Sequence, residues 1–353
     1  MKIGILTASR TDNNGTDLQA MAMQKLFLRL GATDVEIIDY VCDKIDTKKP
    51  IHITLRNLFY LPIILYKKYS HRKFRNKHLK KSSQIYNKSN INTIPYDIVV
   101  VGSDQIWNLD ITGGDTSFFL PFVREGLYKY SYAASLGTAH VDKWNTLYNI
   151  EQLLNDFQHV SVRESSAIDV LKGIGVNAYC DLDPILMGKR RDWKEFIKPC
   201  NDDKYLLLYL VGFDPQAIEY AQYIAKQKGL RIIMLNSGLR QWKGIEQRYF
   251  VSVEEWLNLM ANADLIITNS YHGLSFAILF QRDFRLCLLS HSTNNNARMI
   301  DLVEKLHLSD YILNYQCTSY KPIDWNLVET NLNSLVLVSE QYVKSIINNR
   351  VCH

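Results

Sequence analysis

The chain has 353 residues, 47% of them hydrophobic and 22% charged, a composition that excludes disorder and suits about two domains of ~150 residues. The longest uncharged apolar runs, such as Tyr205–Phe213, have nine residues, far short of the roughly 20 that a spanning helix needs; the six cysteines (42, 180, 200, 287, 317 and 352) form no CxxC, which argues against a zinc cluster and fits a reducing cytoplasm. The formal net charge of +5 is concentrated: Thr47 to Tyr96 contains no Asp or Glu but twelve Lys/Arg, without which the charge is −7, so a mildly acidic body carries one basic segment suited to anionic lipid, a phosphate-rich ligand or nucleic acid.

Met1–Leu6 reads as the start of a strand, Lys2–Ala8, and not as a signal peptide. Apolar residues at Leu18, Met21, Ala22, Leu26 and Leu30 predict a helix over Asp17–Leu30, stopped by Gly31, and Val35–Tyr40 is a second strand. This β-loop-α-β start predicts a parallel sheet, because parallel strands need a crossover. Arg56–Lys81 has helical character interrupted by Pro62; Tyr96–Val101 is a buried strand; Tyr128–Ala134 and Val160–Val162 are further strands, the last leading through Arg163-Glu164-Ser165 into a helix to Leu171. Ala178–Cys180 follows, and Pro184 to about Asp203 is the expected linker.

The second half repeats the rhythm. Strands are expected at Tyr205–Val211, Arg231–Leu235, Leu265–Thr268 and Phe284–Leu288, with helices at Pro215–Lys228, Val253–Ala263, Gly273–Phe280, Ala297–Leu306 and Asn326–Asn348. The fold class is therefore α/β: two Rossmann-like domains facing across a cleft, residues 1–183 (with a basic insertion at about 47–95) and 184–325, followed by a C-terminal helix, 326–353. In such sheets ligands bind beyond the carboxyl ends of the strands, which selects the residues to weigh.

Asn14-Gly15-Thr16-Asp17 follows the first strand; Thr16 or Asp17 can cap the helix, whose N-terminus can hold an anion or a sugar hydroxyl. Gly102-Ser103-Asp104-Gln105-Ile106-Trp107-Asn108 follows Tyr96–Val101: Asp104 can take a proton from a hydroxyl, Ser103, Gln105 and Asn108 can hydrogen-bond a sugar, and Trp107 can stack on its ring. Arg163, at a strand end, offers a fork for carboxylate or phosphate. In Thr268-Asn269-Ser270-Tyr271-His272-Gly273, His272 begins a helix and can move protons or bind phosphate. Ser290–Arg298 adds Arg298. Each also has a plain reading as a cap, turn, core aromatic or surface pair. GxxxxGK[ST], GxGxxG after the first strand, HExxH and GxSxG are all absent, and Asp181-Leu182-Asp183 before Pro184 reads as structural.

Together these strings resemble the polysaccharide pyruvyl transferases: Asn14–Ala20, Val101–Asn108, Ser131-Tyr132-Ala133-Ala134-Ser135-Leu136-Gly137, Ser161-Val162-Arg163-Glu164 and Asn269–Gly273. Gly-Ser-Asp-Gln-Ile-Trp-Asn is the most specific. The resemblance implies a fold similar to the GT-B glycosyltransferases, with phosphoenolpyruvate as donor and no cofactor or metal. The acceptor would be a hexose of a cell-surface polysaccharide precursor, such as a capsule or exopolysaccharide unit, and the product a pyruvate ketal with phosphate released. Arg163 and His272 fall where the family's donor-binding Arg and His lie. Some members carry another Arg two positions before that His; here Ser270 stands there, so Arg298 or another basic residue replaces the charge, or the donor differs. The catalytic set expected is His272, Asp104 and Arg163, with Asn14, Gly15, Asp17, Ser103, Gln105, Trp107, Asn108, Asn269, Ser270 and Arg298 as substrate contacts.

The resemblance also implies a cytoplasmic protein whose acceptor is either polyprenyl-diphosphate-linked at the membrane face or a free nucleotide sugar; the lipid-linked form is the common one. Residues 48–88 then suit an anionic membrane surface, Leu55–Tyr69 mixing apolar and basic side chains, and the protein is expected to be peripheral at the inner face. A GT-B glycosyltransferase using a nucleotide sugar is the alternative. Nucleic-acid binding is not expected, since the rest of the chain is acidic and no RNA-binding motif occurs.

Overall fold

The computed structural model describes residues 1–46, 60–137, 140–199, 204–235, 240–289, 293–315 and 321–349. Its strands are β1 Lys2–Leu6, β2 Asp34–Tyr40, β3 Lys81–Tyr86, β4 Ile98–Val101, β5 Tyr128–Ser131, β6 Ser161–Val162, β7 Tyr179–Cys180, β8 Tyr205–Tyr209, β9 Arg231–Leu235, β10 Ile245–Arg248, β11 Leu265–Thr268 and β12 Phe284–Leu286. Its helices are α1 Asn14–Arg29, α2 Leu61–His78, α3 Leu109–Thr112, α4 Val141–Tyr148, α5 Ile150–Asn155, α6 Ser166–Gly173, α7 Pro215–Lys228, α8 Val253–Asn262, α9 Tyr271–Leu279, α10 Thr293–Lys305 and α11 Trp325–Ile347.

The described residues fall into two compact units, one drawn from Met1–Ile51, Arg72–Met187 and Asn333–His353, the other from His52–His71 and Gly188–Leu332. Each holds a five-stranded parallel sheet of the same order: β3-β2-β1-β4-β5 and β10-β9-β8-β11-β12. Central strands such as β4 (IVVV) and β8 (YLLLY) are buried along their whole length, as parallel strands covered on both faces must be. In the first unit the ladder continues past β5: Ala134 N–H donates to Ser161 O at 3.1 Å and Arg163 N–H to Ala134 O at 3.1 Å, and β6 pairs with β7.

Local chemistry sets the element ends. Asn13 caps α1, its side-chain oxygen accepting from Gly15 N and Thr16 N, so neither Thr16 nor Asp17 is the cap. Asp214 caps α7, Pro215 opens it and Gly229, at φ +64°, closes it. The helix expected over Arg56–Lys81 spans Leu61–His78: Pro62 sits in the first turn, where its missing N–H costs no bond, and Lys81 already begins β3. The 47–59 part of the expected basic insertion, with Lys48, Lys49 and Arg56, lies outside the described residues. The stretch expected as linker, from Pro184, contains the division between the units at Met187/Gly188 and is well packed, with Ile185, Leu186, Met187, Trp193 and Phe196 buried and a 3₁₀ turn at Arg190–Phe196. Strands β3 (KSSQIY) and β10 (IEQR) are edge strands of their sheets. No described helix is long and apolar enough to cross a membrane.

The C-terminal part of α11 docks on the first unit. Tyr342 donates to Ser131 O at 2.6 Å and Ser339 Oγ accepts from Leu182 N at 3.1 Å. His159 is stacked on Tyr179 and meets Tyr342 at a tilt of 36°, each ring centroid 4.3 Å away, and burial lowers its pKa to about 4. Its folded pKa lies below the unfolded value near 6.5, so its contribution is complete above about 6.5 and is lost as pH falls toward 4, by at most about 1.4 kcal/mol per pH unit. The thermal midpoint should therefore drop between pH 6.5 and 4, and His159→Phe should flatten that part of the profile; an unchanged slope in the variant would remove His159 from the account.

Candidate active site

In each sheet the strand order reverses beside its central strand, between β1 and β4 and between β8 and β11, the positions where open α/β sheets take their ligands. Each unit is described by itself.

In the first unit the loops after β1 and β4 meet. Thr16 Oγ1, near the start of α1, donates to Asp104 Oδ2 at 2.9 Å, and Gln105 N–H donates to Asp104 Oδ1 at 2.8 Å. Asp104 has a left-handed backbone, φ 74°, uncommon outside glycine, and its side chain keeps 15% exposure. The turn before it requires glycine: Gly102 has φ +133°, and a Cβ there would stand 2.0 Å from Tyr132 O.

Arg163 comes from the end of β6. Its side chain is 1% exposed, with NH1 2.9 Å from Asp183 Oδ2 and NH2 3.8 Å from Asp104 Oδ1. Asp183 is fully buried and held by further donors: its Oδ2 also accepts from Ser103 Oγ at 3.1 Å and its Oδ1 from Ile185 N at 3.0 Å. Asp183, expected to be structural, is the partner that orients Arg163. Glu164 is no surface partner of Arg163. Buried, it accepts through Oε1 from Ser135 Oγ, Leu136 N and Gly137 N at 3.1, 3.0 and 3.2 Å, fixing the 135–137 loop over Gln105 and Asn108. A Cβ on Gly137 would lie 2.2 Å from Gln105 Oε1.

Several expected substrate contacts are committed to the fold. Trp107 is fully buried, stacked on Phe119 and donating to Phe118 O at 2.9 Å, so it offers no face to a sugar. Asn108 is buried and caps α3. Ser103 is fully buried, held by Asp183 and Ala133 O. Asp17 is buried and paired with Arg75 NH1 at 3.2 Å, so a residue of the basic segment stabilises this loop; Arg75 also donates to Thr11 O. Gly15 spends its N–H on Asn13. Asn14, partly exposed at the first helical position, and Gln105, partly exposed, remain at the surface of the site.

In the second unit His272 is the second residue of α9 and is 8% exposed. Its ring meets that of Tyr271 edge-on at 5.6 Å, and the Arg298 guanidinium, from α10, lies 5.5 Å over the Tyr271 ring. A positive side chain and a histidine thus flank one tyrosine at the start of a helix, an arrangement suited to an anion. Ser270 caps α9 by accepting from Gly273 N at 3.3 Å, and its hydroxyl partly offsets the burial that pushes the Tyr209 phenol up to about 12. Asn269 clamps the backbone of Val211, its Oδ1 accepting from Val211 N at 2.6 Å and its Nδ2 donating to Val211 O at 3.2 Å. It ties the β8 and β11 loops. Of the Ser290–Arg298 stretch, residues 290–292 lie outside the described residues. The described residues contain no group of three His, Cys, Asp or Glu that could hold a metal ion.

Two parallel sheets of Rossmann order, each with a polar cluster at its switch point, define an α/β protein of the GT-B-like class. The sequence profile of the polysaccharide pyruvyl transferases matches residues 13–291, and the chain belongs to that family. Among curated proteins no sequence matches. The fold is similar to a solved structure from Listeria monocytogenes assigned as a UDP-N-acetylglucosamine 2-epimerase, with TM-score 0.52 and 12% identity over 99% of this chain and 92% of that one. It is likewise similar to the UDP-GlcNAc 2-epimerase of Methanocaldococcus jannaschii, with TM-score 0.52 and 14% identity over 95% and 93%. At such identities the likeness is one of fold.

The Asp183–Arg163 pair makes a direct prediction. Asp183→Ala leaves a buried guanidinium without its main partner and should cost about 3–5 kcal/mol, whereas Ser103→Ala should cost about 1 kcal/mol. Denaturant unfolding of both variants checks the ordering; equal losses would show that Asp183 does not carry the pair.

Proposed function

We propose that the protein transfers the enolpyruvyl group of phosphoenolpyruvate onto two hydroxyls of one hexose in a polysaccharide precursor, giving a pyruvate ketal and phosphate. Family membership supports the transferase class and the polysaccharide acceptor. The observation that carries the finer reading is Asp104, held in a left-handed backbone by Thr16 and Gln105 with a fixed guanidinium 3.8 Å away. A partly exposed carboxylate locked at a sheet's ligand end is placed to receive a proton from a hydroxyl.

The reaction needs an acid at one carbon and a base at one oxygen. Protonation of the methylene carbon of phosphoenolpyruvate gives the central carbon cationic character. A sugar hydroxyl adds there and yields its proton to Asp104; the second hydroxyl then adds as the carbon–phosphate oxygen bond breaks, its proton leaving with phosphate. His272 is assigned as the acid or as a phosphate ligand. The donor carries up to three negative charges, and Arg163 has one edge committed to Asp183, so it engages a donor carboxylate or phosphate only through the edge facing Asp104. Arg298 supplies further positive charge in the second unit, where Ser270 has none to give.

A nucleotide-sugar glycosyltransferase has one observation in its favour. After β8, Phe213 is 63% exposed and stacked on Trp242 at 5.9 Å, with Arg240 4.3 Å over the indole, a surface suited to a base. The reactions separate by product: phosphate from phosphoenolpyruvate in one case, nucleotide in the other.

A positioned acid or base contributes ~10²–10⁴ in rate. His272→Ala and Asp104→Asn should each lower phosphoenolpyruvate-dependent phosphate release, measured with a panel of hexose acceptors, by about a hundredfold or more with the circular dichroism unchanged. A folded variant retaining over a tenth of the wild-type rate would take that residue out of the mechanism.

A further inference from the structure

We propose that the outward face of α2, from Leu65 to Lys77, docks on an anionic lipid bilayer. The inference rests on this helix alone and is independent of the reaction assigned above.

The helix is fixed by one side. Ser70, His71 and Phe74 are buried, and Arg75 reaches Asp17 at 3.2 Å and Asp12 at 3.7 Å. The opposite side carries Leu65 and Tyr69, 51% and 62% exposed, followed one and two turns on by exposed Arg72, Lys73, Asn76 and Lys77. At 100° per residue these six lie within a sector of roughly 140°. Arg72, Lys73 and Lys77 form no ion pair among the described residues. By contrast, Lys80 is held by Asp34 and Glu36 and Lys81 lies 3.7 Å from Asp39, so those two belong to the fold. Glu254 and Glu255 lie near Tyr66, in the helix's first half; Glu255 is paired with Arg248, and the Tyr66 ring packs edge-on against Phe250.

The charge and the apolar groups together choose the partner. Three unpaired cations in a stretch without any carboxylate complement phosphate headgroups, and their alkyl stems let the charges rise to the headgroup level while Leu65 enters the acyl boundary. Tyr69 is amphipathic and suits the interface between the two. A nucleic-acid backbone would use the cations equally but gains nothing from an exposed leucine on the same face.

Flotation of the full chain with phosphatidylserine-containing vesicles, against pure phosphatidylcholine vesicles, tests the assignment. Binding to the anionic vesicles at low salt is expected, with loss by high salt and about a tenfold or larger reduction both in Arg72→Glu/Lys73→Glu and in Leu65→Ser/Tyr69→Ser. Both variants change exposed side chains, and an unaltered thermal midpoint confirms their folding. Absence of vesicle binding at low salt overturns the proposal. So does binding that survives either double substitution. Binding to single-stranded RNA that matches vesicle binding and ignores Leu65→Ser/Tyr69→Ser would reassign the face to a plain polyanion.

Discussion

A buried ion pair organises the first unit. Placing Arg163 and Asp183 in the interior costs desolvation of two charges, and attraction offsets that only when the remaining hydrogen-bonding capacity is filled. Here Ser103 Oγ and Ile185 N donate to the aspartate alongside the guanidinium. The pair therefore joins the end of β6, the turn after β4 and the chain beyond β7 at one point. Remove it and the glycine-dependent turn at Gly102 loses its anchor, Asp104 loses its neighbouring cation, and the Thr16 contact that closes the β1 loop has nothing fixed to bond.

The two sheets have the same strand order and opposite chemistry at their switch points. In the first unit the Arg163 guanidinium lies between two carboxylates, 2.9 Å from Asp183 and 3.8 Å from Asp104. In the second, His272 and Arg298 flank Tyr271 at the start of α9, which favours an anion. The same topology thus carries different chemistry in each unit, without any repeat in the sequence.

Much of this was legible in the residues. The buried parallel strands announce themselves as β-branched or leucine-rich runs, and the strings after β1, β4, β6 and β11 mark the sheet ends. Strands β3 and β10 are invisible for a physical reason: at sheet edges half their side chains face water, so KSSQIY and IEQR carry little apolar signal. Within the site strings, type did not determine role. Trp107, Asn108, Ser103, Asn269 and Asp17 are the residues a sugar site would use, yet each is spent on packing, capping or clamping. Conversely, Asp183 and Glu164 act through partners far away in sequence, and Arg75 reaches its aspartates from a helix some sixty residues on; only the tertiary structure brings such pairs together.

The most direct measurement of the central claim, that the strand-end residues form a phosphoenolpyruvate site, is the thermal midpoint of the purified protein with phosphoenolpyruvate, set against phosphate, pyruvate and a panel of nucleotide sugars. A ligand at a hundred times its dissociation constant adds ~2.7 kcal/mol. The account predicts a rise specific to phosphoenolpyruvate that is weakened in Arg298→Ala. A rise with a nucleotide sugar and none with phosphoenolpyruvate would contradict it.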